Sequence, residues 1–595
     1  MLKCLDYPYE WSVISRKNKQ LQRELLENPR HGFIEKKIAV LGGSTTFEVT
    51  KTLNLFCLKK GIKAHFWESD FGLYYDDMVF ENPELMQFSP DIVYIHTSLR
   101  NIKSWPQLGD SEKVIQDKLN YEFEHLKAIW KKAAQHNFTV IQNNFELPFY
   151  RSLGNLDGVR VDGKTKFIND LNQMIVQYAH ENKSFLVNDI NYLSASLGLN
   201  IWNNEEIWQS YKYALSFQAI PHLCAQISSI VAALFGKTQK ALILDLDNTL
   251  WGGVIGDDGS SGIKIGMDTP EGEGFSQLQS YILELKNRGI MLAVCSKNEE
   301  QNALEGFRRS DSVLKEQDFL EFRANWNLKS TNITDIIKKM NIGEESFVYL
   351  DDSAFERSEV SQTHKKIIIP EVSTSPIKTL QMLDREGFFE PVVILDEDLK
   401  RNSMYQSDRQ RDTLKNQFDS NDEFLQSLAM SAEIKPFSEM YLDRITQLIN
   451  KTNQFNLTTK RYTIEDIKKM LNDPHYVHLY GRLVDRFGDN GLTAVIIGRD
   501  VGTKTLEIDS WLMSCRVFKR GFEYQLFQEF VRLAQQKGYE KIRGVYKPTA
   551  KNKIVADIYV ELGFKPLSQS PEGSFVFELN LKDFKEKKYY IEVQP

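Results

Sequence analysis

The sequence predicts a multidomain α/β protein, on three observations. Its 595 residues are several times the usual length of one domain, which calls for about three or four. Short apolar runs alternate with longer polar-apolar stretches twice along the chain, the rhythm of strand, crossover helix and strand in a parallel sheet. Beyond residue 430 the order changes to helices followed by successive strands, an α+β arrangement. The composition, 42% hydrophobic, 12% aromatic and 26% charged, is globular and excludes a largely disordered, collagen-like or disulfide-built chain.

Charge and targeting narrow the class. Lys and Arg number 74 against 81 Asp and Glu, a net charge of -7, which gives no global attraction to nucleic acid or anionic lipid. The start, MLKCLDYPYEWSVISRKNKQ, has no apolar core of signal-peptide length, and apolar runs such as that around Ile230–Phe235 are far short of a membrane span. The expectation is a soluble cytoplasmic protein with no nucleic-acid or membrane partner. Five scattered cysteines (Cys4, Cys57, Cys224, Cys295, Cys515) form no CxxC pair and read as free thiols rather than a disulfide or zinc framework.

The elements follow in order. In a first domain, residues 1–236, strands are expected at KIAVLG (37–42), KAHFWES (63–69), DIVYIHT (91–97), TVIQN (139–143) and SFLVND (184–189), with a closing helix over Gln218–Phe235. A second α/β domain, 237–388, has strands at ALIL (241–244), MLAVCS (291–296), near Phe319–Phe322, and at FVYL (347–350). The charged stretch Asp396–Phe418, within a connector over 389–430, reads as an exposed helix. The last domain, 431–595, has helices at Tyr441–Asn450, Thr463–Leu471 and Gly521–Lys537 and strands at HLYGRLVD, LTAVIIGRD, TLEIDSWLM, KIRGVY and SFVFELNL.

The richest string is LILDLDNTL (242–250). An apolar strand delivers Asp245 and Asp247 at its carboxyl end, where open α/β sheets place their sites. There Asp245 can attack phosphorus, while Asp247 protonates a leaving group and later activates water. DxD alone reads equally well as an Asp-rich turn. Three further positions add to it: the hydroxyl of Ser296 for a phosphate oxygen, Lys329 for phosphoryl charge, and Asp351-Asp352 at the end of FVYL. Oxygen ligands from Asp245, Asp351, Asp352 and the Asp247 carbonyl would suit Mg²⁺.

In this order the motifs resemble those of the haloacid dehalogenase (HAD) superfamily, DxDxT, Ser/Thr, Lys and Asp-Asp. The resemblance implies an aspartyl-phosphate on Asp245 and Mg²⁺ to offset the meeting anions. The strings DLDNTLWGGVIGDDG (245–259), AVCSKN (293–298), DRFGDNG (485–491), SCRVFKRGFE (514–523) and KPTAKN (547–552) narrow it to the FkbH-like proteins. That implies an SGNH-hydrolase-like, flavodoxin-like parallel sheet, a Rossmannoid HAD domain and a GNAT-like acyltransferase-type domain. It further implies removal of phosphate from 1,3-bisphosphoglycerate and loading of the glyceryl unit on an acyl carrier protein. Two other readings stay open: a plain phosphatase of a small phosphorylated metabolite, and a non-catalytic scaffold that binds a carrier protein. The acidic pair continues Ser353-Ala354 where the family has Asn-Pro. The interval from Asp247 to Ser296 is too short for a large cap, leaving residues 251–259 as a small flap.

Three further features carry expectations. Ser44 in LGGST occupies the place of an SGNH nucleophile, yet His222 has no Asp at the orienting spacing, so the first domain is expected to be non-catalytic. Cys295 and Cys515 are candidates to hold an acyl thioester, Cys515 with Arg516, Lys519 and Arg520 nearby to favour thiolate. Arg516, Lys519, Arg520 and Gly521 resemble a GNAT phosphate-binding loop. Glu523 places an acid late in that loop, so the single phosphate of a carrier's pantetheine fits better there than coenzyme A.

Overall fold

The computed structural model describes residues 2–27, 32–549, 551–570 and 573–594, so Ala550 of KPTAKN lies outside the described residues. The chain divides into two compact units, Met1–Thr238 with Gln381–Val392, and Gln239–Leu380 with Val393–Pro595.

The first unit is built on β1 (Ile34–Gly42), β2 (Ile62–Glu68), β3 (Ile92–His96), β4 (Thr139–Asn143) and β5 (Phe185–Asn188). They form one parallel sheet in the order β2-β1-β3-β4-β5. Alternate residues of β1 and β3 supply two cores, as the period of a strand requires. Ile38, Val40 and Tyr94 join the helix Ile220–Leu234 on one face, while Ala39, Leu41, Val93 and Ile95 join the helix Glu112–Gln135 on the other. Gln381–Val392 packs with this unit, so the boundary expected at residue 388 is displaced. Glu386 explains why, since its carboxylate accepts from Tyr7 N at 2.5 Å and pairs with Lys59 at 2.9 Å.

The second unit opens with β6 (Ala241–Leu244), β7 (Met291–Ser296), β8 (Glu321–Ala324) and β9 (Phe347–Leu350). All are parallel, in the order β8-β7-β6-β9. β6 and β9 are neighbours in register Leu244↔Leu350, so the residues that follow them, Asp245 and Asp351, emerge side by side.

The connecting helix Arg401–Lys415 is not the exposed rod expected from its charge. Arg411 is buried and grips Asp485 with two bonds of 2.8 and 2.9 Å, so the charges anchor the helix instead of solvating it.

The remaining strands are β10 (Met430–Lys435), β11 (Phe455–Asn456), β12 (Tyr476–Asp485), β13 (Gly488–Asp500), β14 (Thr505–Met513), β15 (Lys541–Tyr546), β16 (Lys565–Gln569), β17 (Phe575–Asn580) and β18 (Ile591–Gln594). They make a mixed sheet ordered β16-β17-β15-β14-β13-β12-β10-β18, with β11 paired to β14. β10, β11, β16 and β18 are additions to the strands expected from sequence. β14 and β15 are parallel and pair only over Thr505–Glu507 and Lys541–Arg543. The chain closes the opening beyond them: β11 pairs with Leu512 and Met513, and Lys547 N donates to Leu457 O at 2.8 Å.

Candidate active site

The turn after β6 is shaped by its sequence. Asn248 adopts a left-handed conformation, φ 54°, which Asn tolerates better than most residues, and its Oδ1 accepts from Gly253 N at 3.0 Å. Thr249 Oγ1 accepts from Asp352 N at 3.2 Å. The Thr of DxDxT thereby fastens the first aspartate loop to the acidic pair.

Asp245, Asp351 and Asp352 each offer a carboxylate oxygen, all within 4.8 Å of one another. Lys329, at the start of the helix Lys329–Met340, lies 3.0 Å from Asp245 Oδ1 and 2.5 Å from Asp351 Oδ2. Tyr349 donates its hydroxyl to the same Asp351 oxygen. Burial would lower the Lys329 pKa, but Asp245 and Asp351 hold it above the ordinary value. Burial pushes the Asp245 carboxyl up to about 6, against the pull of Lys329. Asp245 Oδ1 is buried and accepts no hydrogen bond of good geometry, its approach to Lys329 being an ion pair by distance alone. An all-oxygen, anionic donor set with an unsatisfied buried oxygen fits a hard divalent cation.

The Asp247 carboxylate points elsewhere. Its Oδ1 accepts from Trp251 Nε1 at 2.8 Å and Ile255 N at 3.1 Å, and its Oδ2 from Asn298 Nδ2 at 2.9 Å. Asn298 also donates to Ser296 Oγ at 3.1 Å. Thus Asp247 sits apart from the carboxylate cluster, held as a proton carrier would be, and only its backbone carbonyl remains for the expected metal set. The segment expected as a flap leads into the short helix Ile255–Gly262, around which Gly252 and Lys264 exchange backbone bonds of 3.0 and 2.8 Å. Trp251 is buried beneath it, edge-on to Phe307.

Sequence reasoning missed Trp251, Asn298, Tyr349 and Arg357, whose guanidinium donates to the carbonyls of Asp351 and Asp352 at 2.7 Å. Asn298 had a signal, standing two residues after Ser296, and Tyr349 two before Asp351. Arg357 follows the Ser353-Ala354 departure, and braces that loop from the next helix.

The other candidates lie away from these residues or are poorly armed. His222 packs edge-on against Tyr7 and Tyr9, with burial pulling its pKa down to about 4, while Ser44 Oγ is buried with no hydrogen-bond partner. Cys295 is fully buried, donates to Lys329 O, and is pushed far above an ordinary thiol by burial. Cys515 corrects an expectation: burial raises its pKa despite Arg516 and Lys240, and its thiol donates to Asn341 O at 3.5 Å. In the basic loop, Arg520 is drawn inward to Asp485 at 2.9 Å and Asp408 at 3.5 Å. Arg516 reaches Met404 Sδ at 2.6 Å, and Lys519 lies over the Phe518 ring. Gly521, at φ 85°, precedes the helix Phe522–Gln536, where Glu523 is buried and pushed up to about 7 by burial. No helix among the described residues is long and apolar enough to cross a membrane.

In fold and in the placing of these residues this part of the chain resembles a phosphatase domain of the HAD type. Residues 37–232 match the family model described as the FkbH N-terminal domain, in keeping with the FkbH-like resemblance read from the motifs. The chain is similar to the N-terminal part of the protein BF1531 from Bacteroides fragilis, described as containing a phosphatase domain complexed with Mg. The two share 28% identity over 63% of this chain and 99% of that one, with a TM-score of 0.58. Similar structures also include a ribosomal-protein alanine N-acetyltransferase from Escherichia coli, at 12% identity over 27% of this chain and 99% of that one, TM-score 0.21. Another is the PaiA N-acetyltransferase from Thermoplasma acidophilum in complex with coenzyme A, at 16% identity over 25% and 99%, TM-score 0.19. No curated protein matches the chain.

Proposed function

We propose that this protein is a Mg²⁺-dependent phosphatase of the HAD type that dephosphorylates an acyl-phosphate metabolite and delivers its acyl unit to an acyl carrier protein. The observation that carries the reading is the juxtaposition of Asp245, Asp351 and Lys329 at the carboxyl ends of β6 and β9. Asp245, Asp351, Asp352 and the Asp247 carbonyl would hold Mg²⁺, which supplies charge neutralisation when two anions meet. The Mg-complexed phosphatase domain from Bacteroides fragilis supports this choice of ion.

Asp245 attacks phosphorus, the bond to the leaving oxygen breaks, and Asp247 gives that oxygen its proton. Asp247 then takes a proton from water, which attacks the aspartyl-phosphate, releases phosphate and restores Asp245. Ser296 and Lys329 bind the phosphoryl oxygens, Lys329 by charge. Asn298 holds Asp247 in place.

The resemblance to FkbH-like proteins supports 1,3-bisphosphoglycerate as substrate. The carrier thiol attacks the acyl carbon, an S–C bond forms, the C–O bond to phosphate breaks, and the thiol proton leaves with phosphate. Asp245 removes the remaining phosphate ester. Transfer is direct, because neither Cys295 nor Cys515 is poised as a thiolate. Two phosphates on a basic loop would be opposed by buried Glu523, which favours the single phosphate of a carrier-borne pantetheine over coenzyme A.

The test incubates the protein with 1,3-bisphosphoglycerate, Mg²⁺ and phosphopantetheinylated carrier, following phosphate and intact carrier mass. Expected are phosphate release and a glyceryl increment on the carrier, with release from the ester abolished in Asp245→Asn. Release without an increment would leave a plain phosphatase, and a phosphoglyceryl increment, with only the acyl phosphate released, would leave a transferase alone. Phosphate release unaffected by Asp245→Asn would overturn the assignment of the site.

A further inference from the structure

The second unit contains a cavity of about 350 Å³, within the size of small-ligand pockets. It lies at the end of the HAD sheet opposite the aspartates. Lys240 and Met291 on its wall stand at the amino ends of β6 and β7, and Asn341–Ser346 lead into β9. Asp245 follows β6 at the other end, so the length of the strand, roughly 13–17 Å at about 3.3 Å per residue, separates the two sites.

The lining is strongly cationic. Lys240, Arg401, Arg444, Lys451, Arg516 and Lys551 all face it. Only two lining carboxylates oppose them: Glu345, which pairs with Lys551, and Glu397, 3.6 Å from Arg444. A third carboxylate, Asp398, is shared, since its Oδ1 pairs with Arg401 and lies 3.5 Å from Lys451. Lys240 Nζ donates to the carbonyl of Lys451 at 3.0 Å, which brings the two lysines to the same wall. Six lining cations therefore face two lining carboxylates, with Asp398 and Asp408 behind Arg401 and Arg516, in a space where the side chain of Lys451 is only 29% exposed. Burial foremost, with Arg401 beside it, pushes Lys451 down to about 7, and burial pushes Lys240 down to about 8. Asn453, Gln454 and Ser514 add neutral donors.

From this cavity we infer a second ligand site, separate from the phosphatase centre, that takes a small free phosphorylated compound. A dianionic phosphate is the compact group that satisfies converging ammonium and guanidinium donors, the latter in pairs. The inference does not rest on the phosphatase reading, because none of these residues touches Asp245, Asp351 or Lys329.

The probe is inorganic pyrophosphate, titrated calorimetrically into the full-length protein in EDTA at constant ionic strength, alongside Lys451→Met, Arg444→Met and Lys329→Met variants. Binding is expected in wild type and in Lys329→Met, and at least tenfold weaker in Lys451→Met and Arg444→Met. Lys451→Met is also expected to raise the Tm of the ligand-free protein, because it removes a charge from a crowded cluster. That measurement distinguishes a lost site from a misfolded variant. Binding abolished by Lys329→Met but kept in Lys451→Met would place pyrophosphate in the phosphatase centre and overturn the inference. Absence of binding in wild type, or binding unchanged in both cavity variants, would overturn it as well.

Discussion

Asn298 donates its side-chain amide to Asp247 at 2.9 Å, so a residue outside the DxDxT motif holds the carboxylate expected to move the proton. The same amide reaches Ser296 Oγ, joining the ends of β6 and β7. Asp247 is bonded to Trp251, Ile255 N and this amide and is not one of the carboxylates grouped for a metal, as a proposed division between proton transfer and charge neutralisation requires.

Replacing Asn298 by Ala should therefore lower kcat about tenfold or more, with a smaller change in KM. One lost hydrogen bond to a charged group is worth about 1.5–3 kcal/mol, and each 1.4 kcal/mol is about tenfold in rate. As a positioning effect it should be partly restored by Asn298→Gln, which keeps the amide donor. A loss shared equally by kcat and KM that Asn298→Gln does not restore would mean that Asn298 serves the fold only.

Lys329 joins Asp245 and Asp351 through contacts of 3.0 and 2.5 Å. Lys329→Met should destabilise the metal-free protein by about 3–5 kcal/mol, the usual cost of removing one partner from a buried ionic group. Mg²⁺ should restore part of this loss, because a divalent cation would offset the same carboxylates, while phosphate release stays abolished. Urea unfolding in EDTA and in Mg²⁺ measures both. Wild-type stability in EDTA would show that the carboxylates do not depend on Lys329.

How far the sequence led differs by region. The central strands of both parallel sheets, β3, β4, β6, β7 and β9, were legible within a few residues because they are short runs buried on both faces, and the aspartates and Ser296 were legible because they sit at the ends of three of them. Contacts distant in sequence were not. β11 is two residues long, β16 is wholly exposed and β18 lies near the chain end, so none had an apolar pattern to mark it. Arg401–Lys415 looked solvated because charge reads as exposure, yet Arg411 finds its partner Asp485 74 positions on. Trp251 acts through its ring nitrogen on the Asp247 carboxylate and Arg357 through its guanidinium on two backbone carbonyls, contacts that spacing does not encode.

Glu523 supplies a pH dependence. Burial lifts its carboxyl from 4.5 to about 7, so between those values the folded protein binds more protons than the unfolded chain and stability falls as pH rises. The cost is absent below about 4.5 and complete above about 7. Glu523→Gln should raise Tm at pH 8 and leave it unchanged at pH 4. An equal difference at both values would attribute the effect to packing rather than charge.

Glu386 tests why Gln381–Val392 belongs with the first unit. Its side chain is only 4% exposed and pairs with Lys59, which also lies 2.8 Å from Asp6 and donates to Leu5 O at 2.6 Å. Lys60 adds a bond of 3.1 Å to the Glu386 carbonyl. Burial would depress the pKa of Lys59, but Glu386 and Asp6 more than restore it, so the lysine stays charged and needs its acid. Glu386→Ala leaves that charge with Asp6 alone, a carboxylate 56% exposed and therefore a weak substitute. The local cost should be about 3 kcal/mol, the lower end of the range for breaking a buried pair. Hydrogen exchange followed by mass spectrometry should then show faster exchange in Leu2–Tyr7 and in the helix Phe47–Lys59, while β6–β9 are unaffected. Unchanged exchange in both segments would mean that apolar contacts alone hold Gln381–Val392 to the first unit.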